Sequence, residues 1–290
     1  METPIRHRIA NLTRRAIGPQ RTSEIGANVD DARCFAEYVG SGRGRESAQR
    51  LRAMHNRFAG RRAFVIGNGP SLKKMDLAPL ALEYTFGSNR IYLAFEELGF
   101  PTTFLCGSAK HIISQFGQEM ADAGCQQVFM SHRYVQANNL PRSVTTFLSR
   151  TRPVFGEDPL FWGFHDAGTV TNTAIQLAYY FGFSEVILIG VDHHFVTTGA
   201  VAGKTLPKLA TDARPDTVVS EGDDPNHFTP NYFGPGVTWE LPDWVTMEHG
   251  YGRARDHFER HGRRIVDATV GGKLTVFPKI DYESVIREKQ

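Results

Sequence analysis

The segment that most constrains the fold runs from Ala63 to Leu72, with the sequence AFVIGNGPSL. Its first four residues are apolar and two of them are β-branched, which is typical of a short buried strand. The strand ends at residues 67–70, because the proline biases Gly69 away from helical backbone and the glycines favour a turn. The sequence therefore predicts a buried strand, a tight turn and a short segment that Ser71 caps.

A strand that ends in a glycine-rich turn presents free backbone N–H groups, which suit the phosphate or ribose of a nucleotide. Lys73 and Lys74 follow the turn, but no Gly-Lys-Ser/Thr sequence occurs there, so it is not an NTPase P-loop. A tight turn without a ligand is an equally open alternative, because the dinucleotide fingerprint is incomplete. The candidate nucleotide-binding residues of this turn are Gly67, Asn68, Gly69 and Ser71.

Composition excludes several classes of function. The net charge is only +2, so no strong overall field favours nucleic acid as a partner. No apolar run approaches the ~20 residues of a membrane span, and the N-terminus has no apolar core of a signal peptide. Cys34, Cys106 and Cys125 are scattered, which indicates a reducing compartment and no metal-ligand spacing. We therefore expect a cytoplasmic protein.

Residues 61–290 alternate between buried apolar runs and amphipathic runs, which predicts an α/β fold, Rossmann-like, with a mostly parallel sheet and flanking helices. The predicted strands cover residues 63–66, 84–88, 103–106, 127–131, 185–190 and 264–268. The predicted helices cover residues 91–98, 110–123 and 171–181, with another that ends near His261 and a short one in the tail.

Residues 1–60 are rich in arginine and are predicted to form a basic N-terminal helical arm outside the catalytic domain. Ile5, Ile9 and Leu12 have helical spacing, so contact with the inner membrane face is open, although a solvated leader is the favoured interpretation. Helices are predicted up to Tyr38, capped by Asp30 or Asp31, and over residues 46–58. We expect the chain before Arg62 to be dispensable for folding and for binding.

In parallel sheets a ligand binds beyond the carboxyl ends of the strands. The residues that follow the predicted strands are small or polar, as loop residues often are. They are Asn68, Asn89, Ser108, His132 and Asp192. A second polar cluster opens the helix predicted near residue 171, where Thr169, Thr171 and Asn172 exceed what one helix cap needs. We therefore predict that Asn68, Asn89, Ser108 and Asp192 contact a ligand, together with the second cluster.

Two histidine sites have competing interpretations. Asp192, His193 and His194 follow a central strand, but adjacent residues of an extended segment point to opposite faces, so no metal site is predicted. Residues 196–235 have little periodicity and are predicted to form a lid. His227 lies where this lid returns to the sheet and is a candidate general base, although a surface loop histidine is chemically the commoner case.

These motifs, in this order, resemble the compact bacterial sialyltransferases of glycosyltransferase family 42. The matching segments are Gly67 to Leu72 with Asn89, then residues 168–178, 189–192 and 226–228. Over residues 62–274 the pattern is also similar to the domain-of-unknown-function 115 group, which includes 6-hydroxymethylpterin diphosphokinase-like proteins and flagellin-glycosylation proteins.

The resemblance implies transfer of a keto-sugar, such as a sialic-acid-like residue, from a CMP-activated donor to a glycan or glycoprotein acceptor in surface-polysaccharide biosynthesis. Asn68 and Asn89 match CMP-binding positions, Ser108 falls near a third, and Thr171 and Asn172 match a nucleotide-binding pair. His227 matches the general base of that family, whose members need no metal or other cofactor. His194 stands where the family has a tyrosine that binds the leaving phosphate, which leaves open a donor other than CMP-sialic acid.

Two alternatives stay open. The first is diphosphate transfer from ATP to the hydroxymethyl group of a pterin, which requires Mg²⁺ held by carboxylates. Asp192, Asp223 and Asp224 are available for this, but no basic clamp for a triphosphate is evident. The second is a non-catalytic nucleotide-binding scaffold in glycan assembly, which would keep the glycine turn and tolerate the loss of His227.

Overall fold

The computed structural model describes residues 19–196 and 217–287. Two predictions lie mostly outside these ranges. They are the short helix suggested by Ile5, Ile9 and Leu12 and the first half of the predicted lid. Within them no helix is both long and apolar enough to cross a membrane.

A seven-stranded sheet in the order β5-β4-β3-β2-β1-β6-β9 organises the chain, and each neighbouring pair is parallel. Its strands are β1 (Arg62–Ile66), β2 (Tyr84–Ser88), β3 (Phe104–Gly107), β4 (Gln127–Ser131), β5 (Thr145–Phe147), β6 (Glu185–Ile189) and β9 (Arg264–Asp267). Two further strands, β7 (Thr217–Val219) and β8 (Thr238–Glu240), form a small antiparallel sheet. The predicted parallel α/β fold is confirmed.

Helices flank the sheet on both faces. They are α1 (Pro19–Gly40), α2 (Gly42–Met54), α3 (Phe95–Leu98), α4 (Lys110–Ala121), α5 (His132–Val135), α6 (Val170–Tyr180), α7 (Trp244–Arg260) and α8 (Tyr282–Arg287). Phe64 and Ile66 of β1 belong to one apolar cluster, and Ala63 and Val65 belong to another on the opposite face. This alternation makes β1 a central strand that is buried on both faces, as its apolar sequence predicts.

The two predicted caps are wrong. α1 begins at Pro19 rather than near residue 30, and Asp31 is buried within it, where it accepts a hydrogen bond from Arg133 at 3.0 Å. Pro70–Lys74 is a 3₁₀ helix without a side-chain cap, because its N-cap is Gly69; Ser71 lies inside the helix, and its hydroxyl donates to Asp192. In both cases a long-range carboxylate contact replaces the local cap.

The boundary predicted after residue 60 cuts through a buried contact. Leu51 of α2 is fully buried in the apolar cluster that also contains Val65 and Phe86. The Ser47 hydroxyl of the same helix accepts a hydrogen bond from the Thr146 N–H of β5 at 2.9 Å. The structure therefore places α2 in the packed body of the domain, so we expect a truncation that removes α2 to destabilise the fold.

The strand order reverses at β1. Strands β2 to β5 are added on one side of β1, and β6 and β9 are added on its other side. Beyond the carboxyl ends of β1 and β6, the Gly67 N–H donates to Ile189 O at 2.8 Å and the Gly69 N–H donates to Gly190 O at 2.9 Å. A Cβ atom on Gly69 would lie 1.7 Å from Asp192 Oδ2. Gly69 is therefore required by packing between two strand ends, whether or not a ligand binds.

The buried position of α2 predicts the effect of a mutation. Leu51→Ala leaves a cavity between the helix and the sheet, so we expect it to lower the free energy of unfolding by ~2–5 kcal/mol. Arg52→Ala, at the exposed neighbouring position, should change it by no more than ~0.5 kcal/mol. Chemical denaturation followed by circular dichroism measures both, and equal stabilities of the two variants would contradict the placement of α2 in the core.

The contact at Gly69 predicts a second effect. Gly69→Ala forces its new methyl group against the Asp192 carboxylate, so we expect a loss of ~1–3 kcal/mol in the free energy of unfolding. Gly252→Ala is the matched control, because Gly252 lies in α7 with no atom within 4 Å of a Cβ built there. That change should be neutral or stabilising by up to ~1 kcal/mol. If Gly69→Ala is as stable as wild type, the close approach is not a constraint on the fold.

Candidate functional site

A cleft of about 790 Å³ opens at the carboxyl edge of the sheet. The turns after β1, β2, β3 and β6 form its floor, and the start of α6, residues 226–233 and the start of α7 form its walls. Ten residues predicted from the sequence line this one cleft: Gly67, Asn68, Gly69, Asn89, Ser108, Thr169, Thr171, Asp192, His194 and His227. Their common location follows from the parallel sheet, which brings its strand ends to one edge.

Ser71 and Asn172 lie behind the cleft wall rather than in it. The Ser71 hydroxyl donates to Asp192 Oδ2 at 2.7 Å, and the Ser71 N–H donates to Asp192 Oδ1 at 3.2 Å. Asn172 is buried, and its Nδ2 donates to the carbonyl of His165 at 2.9 Å. Both side chains hold cleft segments in place, and direct contact with a ligand is not the role their geometry favours.

Asp192 lines the cleft, but its carboxylate is held by Ser71. Burial raises its pKa above the usual carboxyl range, and the two hydrogen bonds from Ser71 act in the opposite direction. These bonds link the end of β6 to the 3₁₀ helix that follows β1. The structure therefore gives Asp192 a positioning role, in addition to any contact with a ligand.

Two asparagine side chains at the cleft floor have unused acceptors. Asn68 Nδ2 donates to the carbonyl and to the hydroxyl of Ser88, at 3.1 and 2.9 Å. Asn68 Oδ1 and Asn89 Oδ1 are buried and have no hydrogen-bond partner among the described residues. Because unpaired buried acceptors are costly, both oxygens are suited to receive N–H or O–H groups of a ligand.

His227 is held by a buried carboxylate. Its Nδ1 lies 2.6 Å from Oδ2 of Asp224, whose side chain is fully buried. The ring stacks on Tyr232 with centroids 3.9 Å apart and planes within 7°. The carboxylate accepts the proton of Nδ1, so Nε2 is the ring nitrogen left to accept a proton from another group. This is the arrangement of an oriented general base.

The segment that carries His227 is bound to the rest of the cleft at both of its ends. The Phe228 N–H donates to the carbonyl of Asn68 at 2.8 Å. Asn226 accepts from the Val196 N–H at 2.7 Å and donates to the carbonyl of Val196 at 3.0 Å. These bonds place His227 next to the glycine turn, so the described part of the predicted lid is packed against the core.

The N-terminus of α6 opens into the cleft. Thr169 is its N-cap and accepts a hydrogen bond from the Thr171 N–H at 3.3 Å. The Tyr251 hydroxyl donates to Thr169 Oγ1 at 3.5 Å, and burial raises the pKa of Tyr251 to about 12. Because the helix dipole and free N–H groups favour negative charge there, this end of α6 suits a phosphate group.

The adjacent histidines have different surroundings. His193 has a positive φ of 50°, and its Nε2 lies 2.9 Å from Glu248 Oε1. His194 is exposed at the cleft and has no hydrogen-bond or ion-pair partner among the described residues. The two rings therefore lie in different environments.

The carboxylates predicted for Mg²⁺ are not gathered at the cleft. Asp224 is bound to His227, Asp192 is bound to Ser71, and Asp223 is exposed and absent from the cleft lining. Of the other lining carboxylates, Asp243 accepts from Thr246 at the start of α7. Within the described residues, Asp192, Asp224 and Asp243 are already engaged by protein donors.

Sequence analysis missed the partners of His227. Asp224 was considered only as a metal ligand, although a carboxylate three residues before a histidine is a local signal of such a pair. Tyr232, which supports the ring from below, accepts a hydrogen bond from the Arg90 N–H at 3.4 Å. The stacking has no sequence signal, since it depends on how residues 224–233 fold back.

Comparison with known proteins shows the family of the chain. No curated protein gives a significant match. A similar solved structure is that of the MAf glycosyltransferase from Magnetospirillum magneticum AMB-1, with 17% sequence identity and a TM-score of 0.48. The alignment covers 88% of this chain but 42% of that one. The model of the family described as 6-hydroxymethylpterin diphosphokinase MptE-like matches residues 43–198, more than half of the chain. The chain therefore belongs to the 6-hydroxymethylpterin diphosphokinase MptE-like family.

Proposed function

We propose that this chain is a transferase that moves a sugar from a nucleotide-activated donor to a hydroxyl group of a glycan or glycoprotein. The observation that carries the proposal is the Asp224–His227 pair, held against the glycine turn at the carboxyl edge of the sheet. A CMP-activated keto-sugar, such as a sialic-acid-like residue, is the donor that we favour.

His227 takes the proton in this reaction. As the acceptor oxygen attacks the anomeric carbon, its proton passes to Nε2 of His227, and the bond from the sugar to the donor phosphate breaks. Asp224 stabilises the imidazolium that forms, because its carboxylate lies 2.6 Å from Nδ1. A buried ion pair of this kind stabilises positive charge more than water-exposed groups do.

The nucleotide occupies the floor of the cleft. Asn68 Oδ1 and Asn89 Oδ1 supply the unpaired acceptors for donor groups of the base or ribose. The N-terminus of α6, with Thr169 and Thr171, faces the phosphate. Ser108 lines the same floor from the end of β3 and offers a hydroxyl to the ligand.

His194 steadies the leaving phosphate. Its exposed side chain is not engaged by the described residues, so its ring is available to donate a hydrogen bond to phosphate oxygens. A donor at this position lowers the barrier most if it interacts with charge that grows as the bond breaks. His194 and His227 therefore divide the acid and base roles of the reaction.

Family membership supports a second candidate, ATP-dependent diphosphate transfer to a pterin hydroxymethyl group. That chemistry uses Mg²⁺ bridging phosphate oxygens and carboxylates that hold the ion. The engagement of Asp192 by Ser71 and of Asp224 by His227 favours sugar transfer without a metal. A base held by a carboxylate serves hydroxyl activation in either reaction, so the donor distinguishes the two. A non-catalytic scaffold has no need of the Asp224–His227 pair.

A nucleotide panel tests the donor. We expect CMP to raise the melting temperature of the full chain without a divalent ion, because a ligand that binds the folded state stabilises it by mass action. CDP, UDP, GDP and ATP are measured in parallel, each with and without Mg²⁺. Stabilisation by ATP and Mg²⁺ alone would favour diphosphate transfer, and no stabilisation by any nucleotide would contradict a nucleotide site.

Substitution of His227 tests the base. His227→Ala should lower turnover by ~10²–10⁴-fold with little change in donor affinity, because a general base acts in the transition state. Asp224→Asn should also lower turnover, since it removes the charge that stabilises the imidazolium. The measurement is nucleotide release from the sugar nucleotide that the panel selects, with water in the place of the acceptor.

His249→Ala is the matched control for this experiment, because His249 is exposed on α7 and does not line the cleft. It should keep wild-type turnover. If His227→Ala also keeps it, His227 is structural and the catalytic assignment fails.

A further inference from the structure

We propose that Glu157, His257 and His261 form a binding site for one divalent transition-metal ion of the Zn²⁺ class. One ligand atom from each residue lies within 4.8 Å of the others. His257 and His261 are four residues apart at the end of α7, and Glu157 comes from the connection between β5 and α6. This place is outside the cleft, so the inference does not depend on the proposed function.

His257 is the buried centre of the cluster. It is 3% exposed, and its Nε2 has no hydrogen-bond partner, although Oε1 of Glu157 lies 3.3 Å away. The ring is stacked on Phe155 at 4.3 Å and meets the edge of Tyr179 at 4.6 Å. A buried imidazole nitrogen that lies beside a carboxylate without a hydrogen bond to it is the observation that points to a bound cation.

His261 is held by a partner on its other ring nitrogen. His261 Nδ1 donates to the carbonyl of His257 at 2.9 Å, which leaves its Nε2 as the nitrogen with a free lone pair. A carbonyl partner on the second ring nitrogen is what fixes the orientation of metal-binding histidines. Neighbouring ligands of tetrahedral Zn²⁺ lie ~3.3 Å apart at bond lengths of ~2.0 Å, which matches the Glu157–His257 distance. The other ligand atoms lie within 4.8 Å of one another, and Glu157 and His261 are exposed side chains that can move closer, while Arg260 must also turn away.

Arg260 opposes the ion in the arrangement observed. Its Nη2 donates to His257 Nδ1 at 3.1 Å, so the neutral ring carries its proton on Nε2. Metal binding at Nε2 requires that proton to leave, Nδ1 to take one up and Arg260 to turn away.

Zn²⁺ bound here would join two parts of the cleft wall. The connection that carries Glu157 also carries Ser149, His165 and Asp166 of the wall, and α7 carries Tyr251. Along α7, Tyr251 lies roughly 9 Å before His257, at 1.5 Å per residue. A bound ion would therefore hold the β5–α6 connection against α7. The ion itself would lie outside the cleft, away from the reacting groups.

The test uses the full chain, freed of any purification tag and stripped with EDTA. ZnCl₂ is titrated in competition with a chromogenic chelator, and one Zn²⁺ per chain is expected. Glu157→Gln and His261→Ala should each weaken binding by at least ~10-fold, the loss that even an outer partner of a metal site causes. Both residues are exposed, so both variants should fold. His249→Ala, on the same helix, should bind as wild type does.

Two further measurements sharpen the outcome. ZnCl₂, but not MgCl₂, should raise the melting temperature of wild type and not of Glu157→Gln, because imidazole suits Zn²⁺ and not Mg²⁺. Arg260→Ala should bind Zn²⁺ more tightly than wild type, because it removes a positive charge and frees Nδ1. No binding by wild type, an equal loss in His249→Ala, or weaker binding by Arg260→Ala would overturn the proposal.

Discussion

The contact between the segments that follow β1 and β6 supports both the fold and the cleft. Backbone bonds from Gly67 and Gly69 reach the end of β6, and the Asp192 carboxylate takes both donors of Ser71. The contact is tight because a Cβ atom at Gly69 would lie within bonding distance of Asp192. The glycine turn is therefore required for the close approach of two strand ends. The side of the turn that faces away from this contact forms part of the cleft floor.

Most of the sheet could be predicted from the sequence because its central strands are short apolar runs bounded by turns. β2 and β4 have the predicted limits, and β1, β3, β6 and β9 differ by a residue at one end or both. Thr145–Phe147 was missed because the strand has only three residues, two of them threonines, which give no usable apolar period. The role of α2 was missed because arginines dominate its composition, although Leu51 packs in the core and Ser47 is hydrogen-bonded to Thr146 of β5.

The sequence could predict which residues line the cleft, but not the hydrogen bonds among them. Position after a parallel strand was enough to bring Asn68, Asn89, Ser108 and Asp192 to one edge. It could not show that Asp192 is held by Ser71, since the two are 121 residues apart in the sequence. Local capping rules favoured a nearby partner for Ser71, and a buried carboxylate from another strand competed more strongly. In the proposed metal site, His257 and His261 have a helical spacing that is visible in the sequence. The third residue, Glu157, comes from a segment without regular structure.

The folded position of His227 bears on how the cleft works. Phe228, Tyr232 and Phe233 belong to the same apolar cluster as Ile66 and Ile189, the last residues of β1 and β6. The Asp224 N–H donates to the carbonyl of Pro230 at 3.0 Å, which closes the loop that carries His227.

A residue held in this way is oriented before a ligand arrives, so its proton-accepting nitrogen needs no lid movement to reach its place. Preorganised groups contribute most to catalysis because they do not reorganise as the reaction proceeds. His194 is the opposite case, since it is exposed and has no partner among the described residues. In the proposed reaction, any adjustment of the site to the donor phosphate would fall on His194, while His227 stays where the core fixes it.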